Sequence, residues 1–191
     1  MKSIKGTKTE KNLLAAFAGE SQARNRYNLF AEKARKEGFV AVADVFDATA
    51  LNEYEHAKIF FKYLEGGDVE INACYPAGKV KSTYDNLLMA ASGENHEYEV
   101  LYPEFAKVAK EEGFPEIASM FKLIAKIEKH HQERFAALAE HIKNSTLYRK
   151  TEKVKWLCLK CGHIHEGERA PEHCPVCNED RAYFKLVNEV F

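Results

Sequence analysis

No stretch of this sequence approaches the ~20 consecutive apolar residues that a membrane-spanning helix needs. The segment from Met1 to Lys11 is polar and lysine-rich, with no apolar run of the signal-peptide kind. An excess of positive charge is missing too: 28 Lys and Arg face 29 Asp and Glu, for a net charge of −1. That balance gives no reason to expect a nucleic-acid or anionic-membrane partner. No glycine-rich phosphate loop and no nucleotide-binding pattern occurs, so any oxidation of a pyridine nucleotide belongs on another protein. Cysteine is scarce, at five residues, and four of these form two C-x-x-C pairs near the C-terminus. That is metal spacing rather than a disulfide framework, and it fits a reducing cytoplasm.

What is present centres on two related stretches, Glu53-Tyr54-Glu55-His56 and Glu128-Lys129-His130-His131. Residues three apart on a helix share a face, so each stretch presents a carboxylate and an imidazole together. Each pair also lies on an apolar stripe. One runs Val42, Phe46, Thr49, Glu53, His56, Phe60, Tyr63. The other runs Ile117, Phe121, Ile124, Glu128, His131, Phe135, Leu138, Ile142. Alternating steps of three and four mark the seam a helix turns towards a bundle core. A carboxylate in such a seam is costly unless it is paired or holds a metal.

A first helix is expected from Thr7 or Thr9 to Glu37, with Leu13, Phe17, Glu20, Tyr27, Ala31 and Ala34 on its seam and Gly38 as its stop. A second spans Val40 to Leu64. A connection from Gly66 to Lys81 follows, broken by Pro76 and Gly78. Ser82 and Asp85 cap a third helix that runs to Glu112. Its seam reads Leu87, Ala90, Glu94, Glu97, Leu101, Phe105, Val108, and Pro103 should kink it. Pro115 opens a fourth, ending near Lys143. The halves repeat: Leu13-Leu14 and Gly19-Glu20 recur as Leu87-Leu88 and Gly93-Glu94. Lys36-Glu37-Gly38-Phe39 recurs as Lys110-Glu111-Glu112-Gly113-Phe114, with one residue inserted. Two helix hairpins joined by a link long enough to traverse the bundle make the ferritin-like topology with one long crossover. Residues 1–146 form this bundle, and residues 147–191 form a small β-rich metal module with little core of its own.

In the bundle, Glu20, Glu53, His56, Glu94, Glu97, Glu128 and His131 converge. One Glu from each of two helices and Glu-x-x-His from the other two is the pattern of di-iron and di-manganese carboxylate bundles. The oxygen-rich set suits iron or manganese better than structural zinc. Glu97 departs from the repeat, since Ala23 stands at its counterpart, and it adds a spare carboxylate one helical step from Glu94. Tyr27 and Tyr102, two turns beyond Glu20 and Glu94, are placed either to hydrogen-bond ligand carboxylates or to pack in the core. In the module, Cys158, Cys161, Cys174 and Cys177 supply four thiolates for zinc or iron. Gly162 and Pro175 favour hairpins whose backbone N–H groups point at sulfur. Cys74 stands alone in the crossover.

This combination resembles rubrerythrin over essentially the whole chain: seam Glu20, Glu53-x-x-His56, Glu94-x-x-Glu97, Glu128-x-x-His131, Cys158-x-x-Cys161-Gly162 and Cys174-Pro175-x-Cys177. The cysteine half is similar to rubredoxin, with a shorter stretch between its pairs. The resemblance implies a cytoplasmic non-haem peroxidase with two irons in the bundle and one on the cysteines. It implies reduction of hydrogen peroxide to water, with electrons that enter at the cysteine iron from a separate reductase or rubredoxin. It also implies that one iron shifts between Glu97 and His56 as the site cycles. Two other readings compete. A ferroxidase or iron store explains the bundle but gives the cysteines no role, and a binding protein with a zinc ribbon explains the tail but not the buried carboxylates. The charged link from Thr146 to Lys153 is short, so a two-fold antiparallel homodimer is expected, with electrons crossing between chains.

Overall fold

The computed structural model describes residues 2–187. Four of the 45 residues expected in the C-terminal module, 188–191, lie outside that range, as does Met1. Helix α1 (Lys8–Lys36) starts at Thr7, whose side chain accepts from the Glu10 N–H, while Glu10 accepts in return from the Gly6 N–H at 2.8 Å. This reciprocal cap satisfies two otherwise orphaned donors. Gly38, at φ 80°, turns the chain into α2 (Val40–Phe61). Helix α2 ends three residues before the expected Leu64, and Tyr63 is only half-buried. The last helix, α5 (Pro115–Lys143), follows a matching turn at Gly113, φ 84°.

The third helix departs most from expectation. It is α3 (Thr83–His96), a π-helical turn (Glu97–Leu101) and α4 (Tyr102–Glu111). The Tyr102 N–H reaches back five residues to the Glu97 carbonyl. Pro103 sits at the start of α4, where its missing N–H is best tolerated. A π turn holds one residue more than an α turn, so the buried face slips by one. Instead of Leu101, Phe105 and Val108, the core takes Tyr102, Ala106 and Ala109. The residue inserted in the second repeat is therefore here, not beside Gly113. Glu94 follows Glu20 by 74 positions, and Tyr102 follows Tyr27 by 75.

Helices α1 and α2 form one hairpin; α3, α4 and α5 form the other. The halves clasp each other reciprocally. Glu37, at the end of α1, accepts from the backbone N–H and hydroxyl of Thr83 at 2.7 and 2.6 Å. Glu112, at the end of α4, does the same for Thr9 at 2.8 and 2.6 Å. Each carboxylate caps the other half's first helix, where negative charge is favoured. Since Thr83 lies beside the α1–α2 turn, the chain between Phe61 and Thr83 must traverse the length of α2, ~33 Å. This is the single long crossover of a ferritin-like bundle.

Two aromatic clusters fill the bundle on either side of its middle. Tyr27, Phe30, Phe46 and Phe135 lie towards one end, and Phe60, Tyr102 and Phe121 towards the other. Beyond α5, β1 (Arg149–Cys158) is the centre of a three-stranded antiparallel sheet, flanked by β2 (Ile164–Arg169) and β3 (Phe184–Leu186). Buried Trp156 donates its indole N–H to the Gly167 carbonyl at 2.9 Å and packs with Phe184, Cys158 and Cys174. The module sits at the α1–α2 turn, where Tyr148 donates its hydroxyl to the Gly38 carbonyl at 3.2 Å. Among the described residues, no helix is long and apolar enough to cross a membrane.

Candidate metal centre

Between the two aromatic clusters, α1, α2, α3 and α5 each turn a carboxylate inward, and α2 and α5 add a histidine. Glu20, Glu53, His56, Glu94, Glu128 and His131 are all buried. They form two overlapping sets whose donor atoms lie within 4.8 Å of one another: Glu20, Glu53, His56 and Glu128, and Glu53, Glu94, Glu128 and His131. The two middle carboxylates belong to both. Glu53 places Oε2 3.0 Å from His56 Nδ1 and Oε1 3.2 Å from His131 Nδ1. Glu128 places Oε1 3.0 Å from His56 Nδ1 and Oε2 2.8 Å from His131 Nδ1. Each thus divides its oxygens between the two imidazoles, the arrangement of a bridging carboxylate. Glu20 Oε1 is 3.8 Å from His56 Nδ1, and Glu94 Oε2 is 3.7 Å from His131 Nδ1. The imidazoles are stacked, 6.0 Å apart.

Packing four carboxylates in a core strains their ionisation. Burial pushes Glu20 well above the ordinary range, with help from the charges on Glu53 and Glu128. Burial and Glu53 raise Glu94 to about 8. Burial would raise Glu53 as well, but the neighbouring imidazoles of His131 and His56 outweigh it and hold Glu53 down to about 2. Burial likewise opposes protonation of the imidazoles. Glu128 and Glu53 prevail, lifting His56 to about 9 and His131 to about 12. Protons here carry charge that a cation can replace.

The donor set fits such cations. Glu20 Oε2, Glu53 Oε1, Glu94 Oε2, both oxygens of Glu128 and His131 Nδ1 are buried without a hydrogen-bond partner. Several are within ion-pair distance of one another, yet they point at common centres rather than along donor–acceptor lines. Two divalent ions would bring four positive charges to four buried carboxylates.

Both tyrosines are second-layer partners, in a crossed pattern that the spacing did not reveal. Tyr27 of α1 donates to Glu94 Oε1 of α3, and Tyr102 of α4 donates to Glu20 Oε1 of α1. Glu97 stands apart from both four-residue sets. It opens the π turn, and solvent reaches part of it. Burial and the charges of Glu94, Glu128 and Glu53 still raise its carboxyl well above the ordinary range. The structure thus brings six of the seven residues together and leaves Glu97 at the margin. The sequence reading also missed Arg134. Half-buried on α5, it donates to Thr49 of α2, and it is near enough to Glu53 and Glu94 for their charges to bear on it.

In the module, Cys158, Cys161, Cys174 and Cys177 form the third potential metal group. Sγ of Cys158 is 3.7 Å from that of Cys177, and Cys161 is 3.7 Å from Cys174. The edge of a tetrahedron with ~2.3 Å metal–sulfur bonds is ~3.8 Å, so the sulfurs already stand at ligand spacing. Both knuckles close in the same way. The Gly162 N–H donates to the Cys158 carbonyl and the Asn178 N–H to the Cys174 carbonyl, each at 2.9 Å. The left-handed residue is Gly162 in one (φ 78°) and Asn178 in the other (φ 61°), asparagine being one of the few side chains that tolerate this conformation. Burial would raise the Cys174 thiol, but the backbone N–H groups of Cys177 and Val176 bring it down to about 7. Cys74 is exposed and away from this group.

A ferritin-like bundle with a shared Glu–His pocket, joined to a four-thiolate module, defines a non-haem iron protein of the di-iron carboxylate class. Comparison with known proteins narrows this. The rubrerythrin family model matches residues 11–139, and the model of the rubrerythrin rubredoxin-like domain matches residues 156–185. Rubrerythrin of Nitratidesulfovibrio vulgaris is 52% identical over 187 residues, 98% of each chain. Rubrerythrin of Porphyromonas gingivalis is 53% identical over 184 residues, 96% of this chain and 92% of that one. A solved structure of fully reduced, all-ferrous nigerythrin superposes with a TM-score of 0.63 at 31% identity, covering 97% of this chain and 92% of its own. The chain belongs to the rubrerythrin family.

Proposed function

We propose that this protein is a peroxidase that reduces hydrogen peroxide to water at the bundle centre, with electrons relayed through the four-cysteine iron. The observation that carries this reading is the pairing, on one chain, of a two-metal pocket with a one-metal thiolate centre. Peroxide reduction consumes two electrons and two protons and yields two waters. Glu20, Glu53, His56, Glu94, Glu128 and His131 would hold two ferrous ions, which would supply the two electrons and Lewis acidity. The chain's own contribution is to bury the pocket, with Glu53 and Glu128 each turning an oxygen to both His56 and His131. Tyr102 and Tyr27 fix Glu20 and Glu94 by donating to them. His56 faces inward while Glu97 stands at the rim, which supports Glu97 and His56 as alternative ligands in different redox states.

The module lies at the α1–α2 turn, and α5 alone carries the chain ~18 Å beyond His131. That separation supports a two-fold homodimer in which one chain's module serves its partner's bundle. The supply of electrons from a separate reductase or rubredoxin, and a cytoplasmic setting, complete the proposal. Stopped-flow mixing of the fully reduced protein with hydrogen peroxide, and separately with dioxygen, tests it. Reoxidation by peroxide should be faster by at least about tenfold, ~1.4 kcal/mol. A faster reaction with dioxygen would overturn the assignment. The rival reading is ferroxidase activity. A solved bacterioferritin structure from Desulfovibrio desulfuricans shares the bundle, at a TM-score of 0.61 and 26% identity over 72% of this chain. Catalytic consumption of ferrous iron with storage of the product would favour it.

A further inference from the structure

The crossover, residues 62–82, is mostly exposed and without regular structure, yet its middle is pinned to α1. Tyr75 is half-buried, and its hydroxyl donates to the Ala15 carbonyl of α1 at 2.6 Å. Its ring lies over Gly19, so that a Cβ there would stand 3.5 Å from Cε1. Gly19 directly precedes Glu20, and Gly93 holds the same place before Glu94 in the other half. A glycine inside a helix is less favourable than an alanine, because it gives up more backbone freedom on folding. Neither has a positive φ, and neither would bring an added Cβ closer than ordinary contact; around Gly93 the space is open. Conformation and packing thus leave both glycines unexplained. The cavity beneath the crossover accounts for them. It measures about 860 Å³ and is lined by Tyr75, Gly19, Gly93 and, at its inner end, Tyr27, Glu97 and Tyr102. It therefore runs from the surface strap to groups in hydrogen-bond contact with the metal-pocket carboxylates.

We propose that this cavity is the oxidant's path to the metal pocket, and that Tyr75 is its size-selecting residue, admitting hydrogen peroxide and turning away hydroperoxides with bulky alkyl or aryl groups. The selectivity half of the proposal rests on the peroxidase reading; the access half does not. The ring closes the passage over Gly19 and is held there by the bond to Ala15, while the bare backbones of Gly19 and Gly93 leave width for a small molecule. Burial and the charge of Glu97 both raise the Tyr75 phenol, in keeping with an inward-facing ring at the cavity wall.

The iron-loaded, full-length protein tests this through two independent readouts on Tyr75→Ala and Gly93→Leu, the first widening the passage and the second narrowing it. The first readout is kcat/KM for cumene hydroperoxide relative to hydrogen peroxide. It should rise about tenfold or more in Tyr75→Ala, within the range by which a fitted pocket discriminates on size. The second is the rate at which ferrozine, a bulky ferrous chelator, extracts iron from the reduced bundle, which requires no turnover. It should rise by a similar factor in Tyr75→Ala and fall in Gly93→Leu. Extraction at the wild-type rate in both variants overturns the path. Altered extraction with an unchanged hydroperoxide ratio overturns Tyr75 as the selecting residue. If the wild type reduces no peroxide at all, the peroxidase reading fails while extraction still decides the path. Should Tyr75→Ala fail to retain iron, Gly93→Leu decides alone, slower extraction supporting the path and a wild-type rate refuting it.

Discussion

In the bundle, the donor atoms come from helices that span Glu20 to His131, and all six inward groups are buried. In the C-terminal module they come from two loops between Cys158 and Cys177, and Cys161 is exposed. The bundle holds its ligands by packing. Phe46 and Phe135 fill one side of the pocket, and Phe60 and Phe121 fill the other. The module holds its ligands by backbone geometry, with left-handed residues at 162 and 178 and N–H groups directed at sulfur. Charge is therefore handled differently. The Cys174 thiolate is stabilised by amide dipoles, whereas the bundle's buried carboxylates repel one another until protons or metal ions intervene. Metal in the bundle is thus tied to proton balance, and metal in the module to the folding of a domain with little core.

The sharpest break in this comparison comes from the shared carboxylates. Replacing Glu53 or Glu128 with Ala removes oxygens that face both imidazoles. Each variant should lose at least one bundle iron and lower peroxidase kcat/KM by about a thousandfold or more, ~4 kcal/mol. The cysteine iron should stay in place. Metal analysis with visible absorption separates the two centres; full bundle occupancy in both variants would refute the bridging role.

Cys174→Ser attacks the other centre. Steady-state turnover driven by an external reductase should fall by about a hundredfold or more, ~2.7 kcal/mol. Single-turnover reoxidation of a chemically reduced bundle should be unchanged. If electrons cross between chains, heterodimers of Cys174→Ser with Glu53→Ala regain turnover, because one chain then supplies the module and the other the bundle. Heterodimers confirmed by mass that stay inactive would assign delivery to the same chain.

Smaller effects are expected of the crossed tyrosines. Tyr27→Phe and Tyr102→Phe each remove one donor from a ligand carboxylate and leave the ring packing intact. A loss of ~10–100-fold in metal affinity or activity is the usual size of such an effect. Iron titration of the metal-free protein measures it, and wild-type affinity in both variants would reduce these tyrosines to core packing.

Much of this was readable from spacing. Helix starts followed from Thr7 and Pro115, the inward groups from the phase of apolar residues around Glu53 and Glu128, and the thiolate set from paired C-x-x-C. The π turn left a trace as well, the change of repeat from 74 to 75 residues between Glu94 and Tyr102. A proline in the same helix offered a simpler explanation for a bend and hid it. What periodicity cannot carry is contact across halves. Tyr27 with Glu94, Glu37 with Thr83 and Arg134 with Thr49 pair residues far apart in the chain. Glu97 shows the limit most clearly: its spacing from Glu94 is that of neighbours on an α-helix, but the helix stops being α at that residue.

The smallest effect sharpens the comparison through pH. In the metal-free protein His56 is raised from 6.5 to about 9 and His131 to about 12, against the pull of burial, by Glu128 and Glu53. A raised folded-state value means the folded protein holds the proton more tightly. The associated stability is complete below the unfolded value and drains away as pH climbs towards the folded one. Glu94, raised from 4.5 to about 8 by burial and Glu53, acts in the same direction over a lower window. Glu53, lowered from 4.5 to about 2, acts oppositely, but its contribution is constant once pH exceeds the unfolded value. Between pH 6.5 and 8 the two histidines and Glu94 all weaken the metal-free fold as pH rises, and Glu53 does not compensate. Urea denaturation of the metal-free protein should therefore give a midpoint that falls across this interval. With iron in the bundle the same groups carry no titrating proton, so the slope should largely vanish. The module sits outside this linkage, and removing its metal through Cys174→Ser should leave the bundle's pH slope unchanged. Equal slopes with and without bundle metal would show that the buried carboxylates and imidazoles are not where the proton balance of this fold resides.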